Sequence, residues 1–310
     1  MDHIPVLLEP AINFLSVTDD KIYVDCTFGA GGYTKKILES STTAKVIAID
    51  QDPSVKSIAQ EFEKEFKRRF QFVNDNFGNL ANILKEIGKV DGVVWDLGVS
   101  SMQLDEEDRG FSFNSNARLD MRMSCEGTSA YDFINFEDEK TIADVIYQYG
   151  DETKSRQIAK AIIEARKTSS ITTCRELSDI IINVKEGRLK STEYSRIHTA
   201  TKTFQAIRIC INNELNNFTK CLNELTPLLN ENARVVFVSF HSLEDRIVKF
   251  FLKENSEKRT SISKYAKKDA SQDTSKLFKI LTPKPIGCSR LEMKNNHRAR
   301  SAKLRAAMKL

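Results

Sequence analysis

Val24-Asp25-Cys26-Thr27-Phe28-Gly29-Ala30-Gly31-Gly32-Tyr33 decides the fold. Ile22-Tyr23-Val24, which leads into it, is a short β-branched and aromatic run, the pattern of a buried strand. The glycines let the backbone turn sharply and come close to a ligand, because no Cβ stands in the way. Lys35-Lys36-Ile37-Leu38 then has helix character. Strand, glycine loop and helix describe the first crevice of a doubly wound α/β domain, where a nucleotide-like cofactor binds.

The details of the loop narrow the cofactor. A dinucleotide fingerprint wants a third glycine or alanine, but Gly29-x-Gly31 is followed by Thr34 in that place. A P-loop wants Gly-Lys-Ser/Thr after its glycines, and none is present. Instead Asp25 closes the strand. A carboxylate there repels a pyrophosphate and suits a ligand with an ammonium group, such as S-adenosylmethionine. Asp50 ends the second apolar run, Val46-Ile47-Ala48-Ile49, at the distance where an acid reaches a ribose hydroxyl. A nicotinamide dehydrogenase fails on the missing glycine and on Asp25.

The alternation continues. Asp52-Pro53 reads as a helix start, with Asp as cap and Pro in the first turn. Apolar residues Val55, Ile58, Ala59, Phe62 and Phe66 then recur at helical spacing. Phe70 to Val73 is a third strand, and a helix around Leu80-Ile83-Leu84-Ile87 stops at Gly88. Val90 to Leu97 is a fourth strand with Asp96 near its end. Strands alternating with helices imply a parallel sheet with right-handed crossovers. Asp25, Asp50 and Asp96 therefore converge on one crevice beyond the strand ends.

From about Gln103 to Lys202 there is no strong strand. An acid-rich loop, Asp105 to Phe113, ends in two exposed-looking aromatics, Phe111 and Phe113. Ile142-Val145-Ile146-Tyr149, Ile158-Ala161-Ile162-Ala165 and Leu177-Ile180-Ile181-Val184 each have helical spacing. A helical module, residues 105–202, is thus expected within a core of residues 1–104 and 203–310. The core resumes with a helix from about Thr203 to Leu229, with a break near Asn216-Asn217. Val235-Val236-Phe237-Val238 is the fifth strand and runs into Ser239-Phe240-His241-Ser242-Leu243-Glu244. There Ser242 reads as a helix cap and His241 as a group facing the crevice. Thr260 to Ser275 reads as a lysine-rich surface loop. Leu277 to Leu281 and the segment around Ala302-Leu304-Ala306 are closing strands.

Composition bounds the function. In 310 residues no apolar run approaches the ~20 needed to span a bilayer, so no membrane partner is expected. The N-terminus lacks a basic segment followed by an apolar one, so no signal peptide is expected. Six cysteines are scattered without a Cys-x-x-Cys pair. That pattern argues against a structural zinc site or a disulfide framework and fits a reducing compartment, so the expected location is the cytoplasm. The net charge of +4 hides an asymmetry: residues 253–310 carry 16 Lys and Arg against 5 Asp and Glu. A basic tail on an acidic body points to a polyanionic partner, most simply nucleic acid.

Several runs go beyond general logic. They are His3 to Glu9, Tyr23 to Gly32, Asp91 to Ser101, Asp108 to Phe113, Leu119-Asp120-Met121-Arg122-Met123, Thr203 to Arg208, Ser239 to Arg246 and Arg298 to Arg305. Together, and in order over essentially the whole chain, they resemble the bacterial 16S ribosomal RNA cytosine-N4 methyltransferase family (RsmH or MraW type). The resemblance implies a class I S-adenosylmethionine-dependent methyltransferase core, Rossmann-like, carrying an inserted α-helical domain. It implies methyl transfer to the exocyclic N4 of a decoding-site cytidine in 16S rRNA, with the small ribosomal subunit as partner and no metal. Whether the chain forms a homodimer stays open.

Carried over motif by motif, the cofactor contacts implied are Gly31, Gly32, Tyr33, Asp50, Phe77, Asp96 and Gln103, to which the strand logic adds Asp25. The family usually has His at Tyr33, Ser at Thr34, Pro at Met102 and Arg at Lys202. Asp96 and His241 are the candidate catalytic residues. Asp96 is a candidate because the cytosine amine is a poor nucleophile and needs an acceptor. The usual Asp/Asn-Pro-Pro-Tyr/Phe segment is replaced here by Asp96-Leu97-Gly98-Val99. Arg109, Phe111, Phe113, Arg118 and Arg122 mix cations with aromatics: composition alone favours a loop packing its own aromatics, and the resemblance favours a grip on a strand and a flipped-out base. Lys202, Arg208, Arg298 and Arg300, with Lys303 and Arg305, are the other candidate RNA contacts. An enzyme acting on a protein or small molecule, and a nucleic-acid-binding protein without turnover, are the competing readings.

Overall fold

β1 (Ile22–Asp25) and β2 (Lys45–Ile49) are the two apolar runs on either side of the glycine loop, and they pair in parallel. They belong to a computed structural model that describes residues 5–186, 198–256 and 276–310. His3, Ile4 and the lysine-rich Thr260–Ser275 stretch lie outside the described residues. The chain forms two compact units, Met1–Gly98 with Asn216–Leu310, and Val99–Leu215.

Among the described residues, the first unit is built on an eight-stranded sheet. Its remaining strands are β3 (Phe70–Val73), β4 (Val90–Asp96), β5 (Leu229–Ser239), β6 (Phe278–Ile280), β7 (Ile286–Gly287) and β8 (Lys303–Lys309). The order is β3-β2-β1-β4-β5-β8-β6, with β7 paired to β8. β1 to β5 are parallel, and β8 runs antiparallel to β5 and to β6. This is the Rossmann-like α/β sheet expected of a class I methyltransferase, closed by antiparallel strands. The strand order reverses between β1 and β4, which remain parallel, so the switch-point crevice lies where Asp25 and Asp96 end their strands.

The central strands are apolar on both faces because helices cover both. Val24, Val93 and Val235 are neighbours in register and fully buried. Trp95 stacks on Phe237 with centroids 4.7 Å apart. Each fully buried Val, Leu or Phe contributes about 1.5–3 kcal/mol over leaving it in water.

The second unit has no named strand among its described residues, only an isolated bridge between Arg118 and Thr173. All three helical stripes pack. Ile142 and Ile146, Ile158 and Ile162, and Leu177 and Ile181 share one core with Phe204 and Ile207. That core takes in the helix Thr201–Ile211, so the unit reaches beyond the expected 105–202 at both ends. The helix breaks at Asn212-Asn213, where Asn213 adopts φ 50°, not at Asn216-Asn217. The Asn212 side chain fixes the break: its Oδ1 accepts from Met123 N–H at 2.7 Å and its Nδ2 donates to Met121 O at 2.7 Å.

Candidate active site

Gly31 has φ +80°, and the helix Gly32–Ser40 starts straight after it. Gly32 is packed so closely on Pro5 that a Cβ would collide with the proline ring. The loop is tied down by acids. Asp25 is 0% exposed, accepting from Thr27 N–H at 3.2 Å and from the Thr34 hydroxyl at 2.8 Å. Asp50 accepts from Gly29 N–H at 2.8 Å and from Asp52 N–H at 2.9 Å. Thr27 Oγ1 in turn accepts from Asp96 N–H at 2.7 Å, joining the ends of β1 and β4. Asp25, expected beside a cofactor ammonium, is fully buried and holds the loop through its two donors, Thr27 N–H and the Thr34 hydroxyl. Thr27 and Thr34 are the residues that sequence reasoning passed over, and their hydroxyls within one turn of Asp25 are the signal.

Tyr33 is buried, and its hydroxyl donates to the Val6 carbonyl. Leu7 N–H donates to Glu292 Oε1 at 2.6 Å. The Tyr33 side chain therefore pins the Pro5–Leu7 segment against the glycine loop. Tyr33→Phe is expected to lose about 1 kcal/mol of stability, the net worth of one hydrogen bond. Equilibrium urea unfolding checks this, and an unchanged midpoint would remove the pin.

Burial pushes the carboxyls of Asp25 and Asp50 up to about 6, although their N–H and hydroxyl donors pull the other way. Asp96 is raised well above the ordinary carboxylate range by burial first, then by the nearby charges of Asp25 and Glu244. Its Oδ1 is buried without a hydrogen-bond partner among the described residues. Phe77, half-buried, sets its ring edge-on to Phe218 at 6.3 Å. A partly exposed Asp50, an orphaned Asp96 oxygen and a Phe77 ring face suit a ligand with hydroxyls, positive charge and an aromatic base. They suit no phosphate. S-adenosylmethionine is that kind of ligand.

These shifts predict a pH dependence. An acid that titrates near 3.8 when unfolded and near 6 when folded binds its proton more tightly in the fold. The stability it contributes is complete below about pH 3.8 and is lost as pH rises towards about 6. A cationic, hydroxyl-bearing cofactor favours the ionised carboxylates. The rise in melting midpoint on adding S-adenosylmethionine should therefore be larger at about pH 7.5 than at about pH 5. An equal rise at both would contradict the assignment of these acids.

Gln103, expected at the cofactor, lies in the second unit, buried in a capping box: Ser100 N–H donates to Gln103 Oε1, and Gln103 N–H to Ser100 Oγ, both at 3.1 Å. The candidate RNA contacts divide sharply. Phe111 is 7% exposed in the helical core, because the loop folds back and Arg109 donates to the carbonyls of Arg122 and Met123. Phe113 stacks on His198 at 4.1 Å. Neither is the exposed aromatic the loop suggested.

The cations are largely engaged within the chain. Arg122 pairs with Asp120 at 2.7 Å, and Arg208 with Glu214 at 2.8 Å. Lys202 donates to Asp151 O at 3.1 Å. Arg305 pairs with Asp245 at 2.7 Å, and Lys303 lies 3.4 Å from the same acid. Arg118 is exposed, with its guanidinium 5.0 Å from the Tyr131 ring centre. Arg300 is exposed in the turn His297–Ser301, which also contains Arg298.

At the end of β5 the helix cap is not Ser242. Asp245 N–H donates to His241 O, Glu244 N–H to His241 Nδ1 at 3.4 Å, and Glu244 Oε2 accepts from Phe240 N–H at 2.8 Å. His241 is the cap and Glu244 the acid reaching back, a capping box shifted by one residue. The described residues contain no group of three or more His, Cys, Asp or Glu able to hold a metal ion, and no helix long and apolar enough to cross a membrane.

Known proteins match over the same span. The MraW methylase family profile matches residues 1–310. The ribosomal RNA small subunit methyltransferase H of Rickettsia felis is 51% identical over 99% of this chain and 98% of its own length. The protein of the same name from Rickettsia bellii is 52% identical over 99% of both chains. Among solved structures, an rRNA methylase from Streptococcus thermophilus aligns over 100% of this chain and 99% of its own, with TM-score 0.44 and 11% identity. Matched from end to end, this chain belongs to the MraW methylase family, whose cofactor is S-adenosylmethionine.

Proposed function

We propose that the chain methylates the exocyclic N4 of a decoding-site cytidine in 16S ribosomal RNA. The substrate class follows the names of relatives about half identical over their full length. Within the site, the observation that carries the reading is the unpartnered Asp96 Oδ1 at the switch point of the sheet.

When bound, S-adenosylmethionine would supply an electrophilic methyl group on a sulfonium sulfur, and the amine that takes it would have to shed a proton. The chain's contribution is mainly positioning. Asp50 and Phe77 would hold the ribose and the base of the cofactor, and Gly31 and Gly32 keep the approach clear. Asp96 accepts from the amine, and burial together with the Asp25 and Glu244 charges makes it a stronger base than an exposed carboxylate. That favours the positive charge developing on nitrogen. On the RNA side, the excess of cations in residues 253–310 supplies attraction to phosphate.

The test is transfer of labelled methyl from S-adenosylmethionine to small ribosomal subunits isolated without this modification, with large subunits as control. Label in small-subunit RNA alone is the expected result. Label in neither, with the cofactor demonstrably bound, would favour a binding protein without turnover.

A further inference from the structure

Like Asp96 Oδ1, His241 Nε2 is a buried polar atom without a hydrogen-bond partner among the described residues. β4 and β5 are paired to their ends, with Asp96 opposite Val238 and Leu97 N–H donating to Val238 O at 2.9 Å. His241 follows three residues after Val238. Its Nδ1 accepts from Glu244 N–H, which places the ring proton on Nε2. Nε2 lies 3.0 Å from Glu244 Oε1 but is not aligned with it as a hydrogen bond. Glu244 is 3% exposed, and its other oxygen is held by Phe240 and His241 N–H.

The chemistry of this arrangement is specific. Ser or Asp would cap the helix as well as His does. Leaving a buried acceptor and a buried donor unpaired destabilises the fold unless something fills them. One acceptor and one donor on neighbouring strand ends match a base edge on which an amino group sits next to a bare ring nitrogen. Cytosine offers that edge. Uracil offers the reverse, a carbonyl next to a ring N–H.

Resting on the N4 reading above, we infer that Asp96 Oδ1 and His241 Nε2–H read the amino edge of the target base, and that Glu244 is the positioning residue that fixes the imidazole. Asp96 accepts from the exocyclic N–H and His241 donates to the adjacent ring nitrogen. The pair thereby rejects uracil and holds the amine for transfer.

Nitrogen-15 NMR of the histidines in the free protein, assigned with a His241 variant, tests the donor without any turnover. The expected spectrum has His241 protonated at Nε2 and bare at Nδ1; the opposite tautomer overturns the inference. Kinetics on small subunits test its use. His241→Leu should lower kcat/KM for the RNA about tenfold or more while the cofactor Kd stays within about twofold. His241→Gln, which restores an N–H donor, should recover much of that loss. Glu244→Gln keeps a normal capping residue and should still lower kcat/KM for the RNA by releasing the ring. His241→Leu at the parental rate, or no recovery with Gln, overturns the inference. Should the parent protein itself transfer nothing to small subunits, the N4 reading falls separately, and the tautomer still decides whether His241 presents a donor.

Discussion

An Asp96→Asn variant is expected to fold, to melt higher than its parent at neutral pH, and to transfer methyl groups about 10²-fold or more slowly, the usual size of a lost proton acceptor. The two effects share one cause. Burial and the charges of Asp25 and Glu244 hold the Asp96 carboxyl well above its ordinary range. Its folded value exceeds its unfolded value, so the ionised form at neutral pH costs stability, and the cost grows as pH rises from the unfolded value towards the folded one. Asn removes the charge while keeping the shape, so the cost disappears. The same change removes the proton acceptor, since the Asn oxygen still accepts a hydrogen bond from the amine but cannot take its proton. Thermal melts at about pH 7.5, cofactor binding and single-turnover methylation check the three parts. Turnover within about threefold of the parent would reduce Asp96 to ordering the loop.

The second large effect is at Gly31. Gly31→Ala is expected to destabilise the protein by about 2–5 kcal/mol, combining left-handed backbone strain with overpacking. It should also abolish measurable cofactor binding. At φ +80° an added Cβ would stand 2.5 Å from Phe62 Cζ and 3.0 Å from Phe28 Cε2. Those rings sit in an aromatic cluster. Phe62 lies 5.3 Å from Phe28 and 5.4 Å from Phe70, and Phe28 lies 5.5 Å from Phe72. Gly88→Ala is the control: φ is +94°, but nothing lies within 4 Å of the new Cβ. It should cost only the backbone strain, about 1 kcal/mol. Equal midpoint losses for the two variants in urea would show that packing around the loop does not matter.

The parallel sheet was legible because its strands are short β-branched runs, each ended by an acid or a turn. Asp25, Asp50 and Asp96 could be assigned to one edge from that pattern alone. The helical stripes were legible for the same reason, since spacing in sequence maps onto one face of a helix. What stayed hidden depends on contacts distant in sequence. Asn212-Asn213 and Asn216-Asn217 look alike locally, and Met121 and Met123, about ninety residues earlier, decide between them. Phe111 reads as exposed because its neighbours are charged, yet Arg109 folds the loop inward by binding carbonyls.

The site shows the same division. That Asp25 serves the loop depends on the Thr34 hydroxyl, one helical turn beyond the glycines. Ser242 fits the usual cap by residue type, but the backbone places His241 there, and Glu244 lies at the reciprocal spacing. Residue type pointed to the acids; which partner each one meets is set by the fold.

The most direct test of the account is the identity of the methylated nucleoside. Small subunits from cells lacking this protein, treated with it and S-adenosylmethionine, should yield labelled N4-methylcytidine on complete digestion of their RNA. Label recovered as 5-methylcytidine, or on any nucleoside without an exocyclic amine, would contradict the amine-accepting role of Asp96 and the reading built on it.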